Sequence, residues 1–179
     1  MRVALTGTPG TGKTTVADRL ETDLTVIHLN EAIREEDLVE TVDADRDSWV
    51  ADLDAVTEWL DGRDDVLIES HLAHLLPVDR AVVLRCHPEE LLERLSDRGV
   101  PLAKAHENAE SEALDLILAE AVDRLGEDDV YEIDTTGRSP AAVTADVAAA
   151  IAGERAPAVG VVSFIDALET LTDPTDRPQ

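Results

Sequence analysis

Apolar and polar positions along the chain switch repeatedly between a two-residue and a helical period. Arg2-Val3-Ala4-Leu5-Thr6 is a short β-prone apolar run, and a helical pattern starts behind it over 14–20. Residues 25–29 predict a second strand, with Asn30 as the N-cap of a helix over 31–38. Residues 39–47 are polar without a clear period and read as a loop. Ser48 predicts the cap of a helix over 49–60, with Val50, Leu53, Val56 and Leu60 on one face. Val66-Leu67-Ile68 is a short buried strand ending at Glu69-Ser70-His71, and 81–85 is the next. Pro88 opens a helix to Arg98 that Gly99 closes. Pro101 opens another, read as continuous over 102–125. Residues 130–134 form the fifth strand, 135–139 a loop, and Pro140 starts a helix to about Ala152. A linker is expected over 153–160, a short packing segment over 161–171, and a fraying end over 172–179.

Strands alternating with helices predict an α/β fold with a mainly parallel, five-stranded sheet flanked by helices. Ligands of such sheets bind beyond the carboxyl ends of the strands. Glu69, His71, Arg85 and the 135–139 loop all follow strands and are expected to cluster.

Composition adds bounds. The 179 residues predict one domain, and a hydrophobic share of 44% argues against disorder. Aromatics make up only 2%, so Ala, Val, Leu and Ile must build the core. The formal charge is −25, spread along the chain. With few lysines and many small apolar residues, this resembles proteins of salt-loving archaea, although an acidic protein with a basic partner has the same look. The acidity argues against a broad nucleic-acid surface. The one cysteine, Cys86, excludes an intramolecular disulfide. Without an apolar run of membrane-spanning length or a signal peptide, a cytoplasmic protein is expected.

The chemistry starts at Gly7-Thr8-Pro9-Gly10-Thr11-Gly12-Lys13-Thr14-Thr15, which fits the phosphate-loop template G-x-x-x-x-G-K-[ST] between a strand and a helix. Its glycines let backbone N–H groups turn toward a phosphate. Lys13 can reach the β- and γ-phosphates, and the Thr14 hydroxyl can ligate Mg²⁺. Lys13 and Lys104 are the only lysines, so the loop keeps a flexible point charge in a chain that otherwise uses arginine. Asp134-Thr135-Thr136-Gly137 matches D-x-x-G but comes too late for a GTPase switch, with no N-K-x-D after it. Phosphoryl transfer needs convergent cations. Arg34, Arg94, Arg98 and Arg138 are candidates, each equally suited to a surface salt bridge. His71-x-x-His74 lacks a suitably spaced third metal ligand. His28, His87 and His106 show no partner, and Trp49 and Trp59 read as packing residues.

The phosphate loop, Ala32-Ile33-Arg34-Glu35-Glu36, Val66-Leu67-Ile68-Glu69-Ser70-His71 and Glu93-Arg94-Leu95-Ser96-Asp97-Arg98-Gly99 together resemble the adenylate kinase 6 (Fap7-like) family in its archaeal branch, over about residues 2–153. The resemblance implies a three-layer P-loop NTPase fold with a short lid. It implies a kinase domain over 1–153, a nucleoside monophosphate region near 30–53 that includes Arg34, and a lid near 97–107. It places ATP phosphates on Gly10, Gly12, Lys13, Thr14 and Thr15, with Arg98 on ATP and Arg138 near the adenine. Glu69 stands where the family has a Mg²⁺-associated carboxylate, often Asp, and the longer side chain fits holding Mg²⁺ through water. His71 would orient a phosphate or the attacking water, or simply make a structural hydrogen bond. The implied activity is ATP-to-AMP phosphoryl transfer with ATPase activity. The implied partners are ribosomal protein uS11 and the small ribosomal subunit, in late maturation of its RNA. Two rivals stay open: mainly an ATP-dependent assembly factor, or a P-loop kinase for another small metabolite.

Overall fold

The computed structural model describes residues 1–43 and 48–172. In chain order its elements are β1 (Arg2–Thr6), α1 (Lys13–Ala17), β2 (Thr25–His28), α2 (Leu29–Glu35), β3 (Val39–Asp43), β4 (Ser48–Ala51), α3 (Leu53–Trp59) and β5 (Val66–Glu69). There follow β6 (Arg80–Arg85), α4 (Pro88–Asp97), α5 (Leu102–Ala113), α6 (Leu116–Leu125), β7 (Val130–Asp134), α7 (Pro140–Ala152) and α8 (Ala167–Thr172). Five strands make one parallel sheet in the order β2-β5-β1-β6-β7. β1 is central, so the phosphate loop leaves the middle of the sheet between the ends of β5 and β6.

Strand alternation sends successive side chains to opposite faces, and both faces are covered. Ala4, Ile68, Ala81 and Val83 face α2, α3 and α6 through Leu29, Ile33, Val56, Leu60, Leu118 and Ala121. Val3, Leu5, Leu67, Val82, Leu84 and Ile133 face α1 and α7 through Val16, Ala17, Val143, Val147 and Ala150. A smaller cluster of Cys86, Leu91, Leu95 and Ala105 joins α4 to α5. Cys86 is fully buried among apolar neighbours, which pushes its thiol up to about 12 and keeps it protonated.

Three segments differ from the sequence pattern. Residues 39–43 and 48–51, expected as loop and helix start, form an antiparallel ribbon of β3 and β4, so α3 begins only at Leu53. Asp52, not Ser48, caps α3, its carboxylate accepting from the Ala55 N–H at 2.9 Å. Val50 is correspondingly exposed. Asn30 lies inside α2 and not at its cap; its side-chain oxygen accepts from the Ser70 hydroxyl. The long helix expected over 102–125 divides at Asp115, whose φ of 56° places it in the left-handed region. Leu114 and Leu116 on either side of that break are exposed, ending the apolar stripe.

Part of the expected 153–160 linker is tied to the sheet. The Glu132 N–H donates to the Ala158 carbonyl at 2.8 Å and the Ala158 N–H to the Val130 carbonyl at 3.2 Å. The chain then runs back over the sheet end, and buried Phe164 meets the His87 ring edge-on at 5.3 Å. The expected fraying end lies largely outside the described residues.

Candidate active site

The phosphate loop closes tightly on its scaffold. A Cβ on Gly7 would lie 2.3 Å from the Leu84 carbonyl oxygen, and one on Gly10 would lie 2.8 Å from Leu91. Both glycines have positive φ, at 135° and 98°, so the loop needs them for backbone geometry and for clearance. The Thr8 carbonyl accepts from the Thr11 N–H at 3.2 Å and the Thr11 hydroxyl at 2.9 Å. Lys13 curls over this loop and donates to the Gly7 and Thr8 carbonyls at 2.7 and 3.0 Å. Its ammonium is buried, which lowers its pKa to about 8 against the opposing pull of Glu69 and Glu112.

Glu69, at the end of β5 and only 6% exposed, faces the loop. Its Oε1 accepts from the Thr14 hydroxyl at 3.2 Å. Its Oε2 lies 3.1 Å from His28 Nδ1 on β2, the register neighbour of Glu69. The far nitrogen of His28 lies 3.4 Å from Asp18 at the end of α1. Two residues on, His71 lines the same cleft, and burial together with Lys13, His74 and Lys104 lowers its pKa to about 4. His71 is therefore neutral near pH 7. His74 is fully committed elsewhere, with Nδ1 3.0 Å from the Thr6 hydroxyl and Nε2 2.9 Å from Glu120.

These groups open onto a cleft of about 1510 Å³. It runs from the phosphate loop, past Glu69 and His71, to Leu72, Leu75, Leu116, Ile117 and Glu120. It is also lined by Arg98 at the end of α4 and by Lys104, Asn108 and Ser111 along one face of α5. Arg138 also lines the cleft but is held by the Asp134 carbonyl and Asp146, both at 2.9 Å. Arg94 lines the cleft too and donates to the carbonyls of Gly10 and Thr135, bracing the loop. Arg34 does not join this group: it is exposed on the last turn of α2, away from the cleft lining. Of the expected 30–53 region, residues 44–47 lie outside the described residues.

Arg85, expected at a strand end near the loop, proves to be the centre of a buried ion cluster whose partners carry no sequence signal. Arg85, 1% exposed, is gripped by Glu112 of α5 and Glu132 of β7, both at 2.7 Å, and by Asp115. Burial opposes its charge, but Glu112 and Asp115 outweigh that and keep it protonated. Glu112 also accepts from the Cys86 N–H at 3.0 Å and from the Thr8 hydroxyl. The backbone of α5 is thus pinned to the second residue of the phosphate loop. These partners are far apart in sequence, so no spacing rule could have paired them. Lys104 carried a signal as the second of two lysines, and the structure sets it on the cleft wall.

Residues 3–115 match a family model described as an AAA domain. A protein of Natronomonas pharaonis named "Putative adenylate kinase" is 64% identical over 168 residues, covering 94% of this chain and all of that one. Among solved structures, a gluconokinase from Sinorhizobium meliloti has a TM-score of 0.51 at 19% identity, covering 96% of this chain and 97% of its own. A shikimate kinase from Aquifex aeolicus has a TM-score of 0.51 at 17% identity, covering 86% and 98%. At such identities these two establish the fold alone. The sheet order, the phosphate loop and the close relative converge: this chain belongs to the P-loop nucleoside monophosphate kinase family.

Proposed function

We propose that the protein transfers the γ-phosphoryl group of ATP to AMP. The observation that carries this reading is the length and lining of the cleft. Its volume exceeds the roughly 300–1,000 Å³ usual for a single ligand, and three cations, Lys13, Arg98 and Lys104, line it together. That arrangement suits a donor and an acceptor meeting end to end.

The phosphate loop binds the donor. Gly10, Gly12, Thr14 and Thr15 present backbone N–H groups, and Lys13 leaves the Gly7 and Thr8 carbonyls for the β- and γ-phosphates. The Thr14 hydroxyl and the Glu69 carboxylate form a hard oxygen set 3.2 Å apart, which fits Mg²⁺ with Thr14 as ligand and Glu69 acting through water. A Mg²⁺ held by these two residues would supply charge neutralisation for the phosphates. Arg98 approaches the transferring group from the lid side, and neutral His71 orients it by hydrogen bonding. Arg138 lies on the adenine side. Arg34, exposed on α2, is assigned to the acceptor. Positioning and charge neutralisation carry the rate, and no covalent intermediate is needed.

The test is a coupled assay in molar KCl with AMP, GMP, CMP and UMP as acceptors. ADP formation should depend on AMP and vanish in Lys13→Ala; full activity in that variant would end the proposal. The acidity of the chain favours a second reading, an assembly factor that docks basic ribosomal protein uS11 during small-subunit RNA maturation. AMP-independent hydrolysis accelerated by uS11 would favour it.

A further inference from the structure

His28 has no role in the mechanism above, yet its ring sits between two carboxylates. Nδ1 lies 3.1 Å from Glu69 Oε2, and Nε2 lies 3.4 Å from Asp18 Oδ1. The parallel pairing of β2 with β5 puts His28 directly beside Glu69. Without that contact, Glu69 would have one oxygen on the Thr14 hydroxyl and the other free to rotate toward the buried Lys13 ammonium, which already attracts it. A Glu side chain has three rotatable bonds, so a single 3.2 Å hydrogen bond from a threonine does not fix its plane. The His28 contact supplies the second point. Asp18, at the end of α1, lies 3.4 Å beyond the ring's far nitrogen.

We propose that His28 is a positioning residue: it orients the Glu69 carboxylate beside Thr14, so that its oxygens serve a divalent cation and do not collapse onto Lys13. This rests on the reading of Thr14 and Glu69 as the cation-facing pair. Outer partners that fix a metal-associated carboxylate typically change metal affinity 10- to 100-fold when removed. The contact here is one of two on that carboxylate, so an effect near 10-fold is expected.

The experiment measures binding, not turnover. ADP affinity is determined by calorimetry without metal and with saturating Mg²⁺, and Mn²⁺ binding to the protein–ADP complex is followed by electron paramagnetic resonance. His28→Phe keeps a ring and removes both nitrogens. It should weaken Mn²⁺ binding about 10-fold and leave metal-free ADP affinity within about twofold. His28→Asn keeps a donor near the Nδ1 position and should recover most of the loss. Glu69→Gln is the reference. If Glu69→Gln weakens Mn²⁺ binding and His28→Phe does not, the positioning role is overturned alone. If Glu69→Gln has no effect, the carboxylate reading falls and takes the role of His28 with it. An equal loss of ADP affinity with and without metal in His28→Phe, unrescued by His28→Asn, would mark a purely structural residue and also overturn the proposal.

Discussion

Burial holds Lys13 near pKa 8, whereas its ordinary value is 10.5. Between those values an unfolded chain keeps a proton that the folded one has released, so stability rises with pH across that window. Below pH 8 the buried ammonium costs roughly 3 kcal/mol at about 1.4 kcal/mol per pH unit. Replacing Lys13 with Met should therefore raise the melting temperature of the nucleotide-free protein by several degrees while removing phosphoryl transfer. A thermal melt beside an activity assay decides it, and a lower melting temperature would contradict the burial argument. The same titration sets a pH limit on binding. As pH rises through 8 the lysine loses its charge, and calorimetry should find ATP bound more weakly at pH 9 than at pH 7. His71 has the same sign at lower pH, stability rising between about 4 and 6.5. Its lowered pKa makes its contribution present above about 6.5 and lost as pH falls toward 4. Lys13 could be read from the motif alone, because a phosphate loop is local in sequence. His28 could not, since its partner Glu69 is brought to it only by strand pairing.

Helix α5 carries cleft residues along its length and the loop anchor at its C-terminal end. Lys104, Asn108 and Ser111 share a face, and Glu112 closes onto Thr8 and Arg85. Glu112→Ala would leave Arg85 with fewer carboxylates and leave the Cys86 N–H without its acceptor. Removing one member of a buried ion cluster costs about 3–5 kcal/mol, equivalent to a drop of roughly 10 °C or more in melting temperature. Thermal denaturation of the variant in high salt tests this, and a change under 1 kcal/mol would mean that Glu132 and Asp115 suffice. The strand–helix alternation was readable because each long segment keeps one period. Two of the three misread segments have clear physical reasons. The strands of the β3–β4 ribbon are only five and four residues long, too brief for a two-residue alternation to stand out from the sequence around them. The α5–α6 break uses no glycine or proline. Asp115 adopts the left-handed backbone while its carboxylate meets Arg85, a tertiary contact that no local pattern reveals.

Across the whole molecule, the formal charge of −25 sets a uniform repulsion that the few ion pairs do not cancel. Screening shortens from about 10 Å at 0.1 M salt to about 3 Å at 1 M. Melting temperature should rise steadily from 0.1 to 2 M KCl, as followed by circular dichroism, because relief of repulsion outweighs loss of exposed pairs. A falling curve would show that the surface pairs dominate. That expectation needs no structure, since composition alone carries it. Among the described residues no helix is long and apolar enough to cross a membrane.

Phe164 stands over the Arg85 guanidinium, its ring centre 5.3 Å away, and the Val161 N–H reaches Glu132. Both come later in the chain than β7 and α7. During synthesis, Arg85 can therefore find its carboxylates before this cover exists, and water keeps access to the cluster until residue 164 has emerged. Vectorial folding would assemble the sheet first, then dry its charged seam. A ribosome-stalled chain ending before Val161 should accordingly be cut by protease between α4 and α6 more readily than one extended past Phe164.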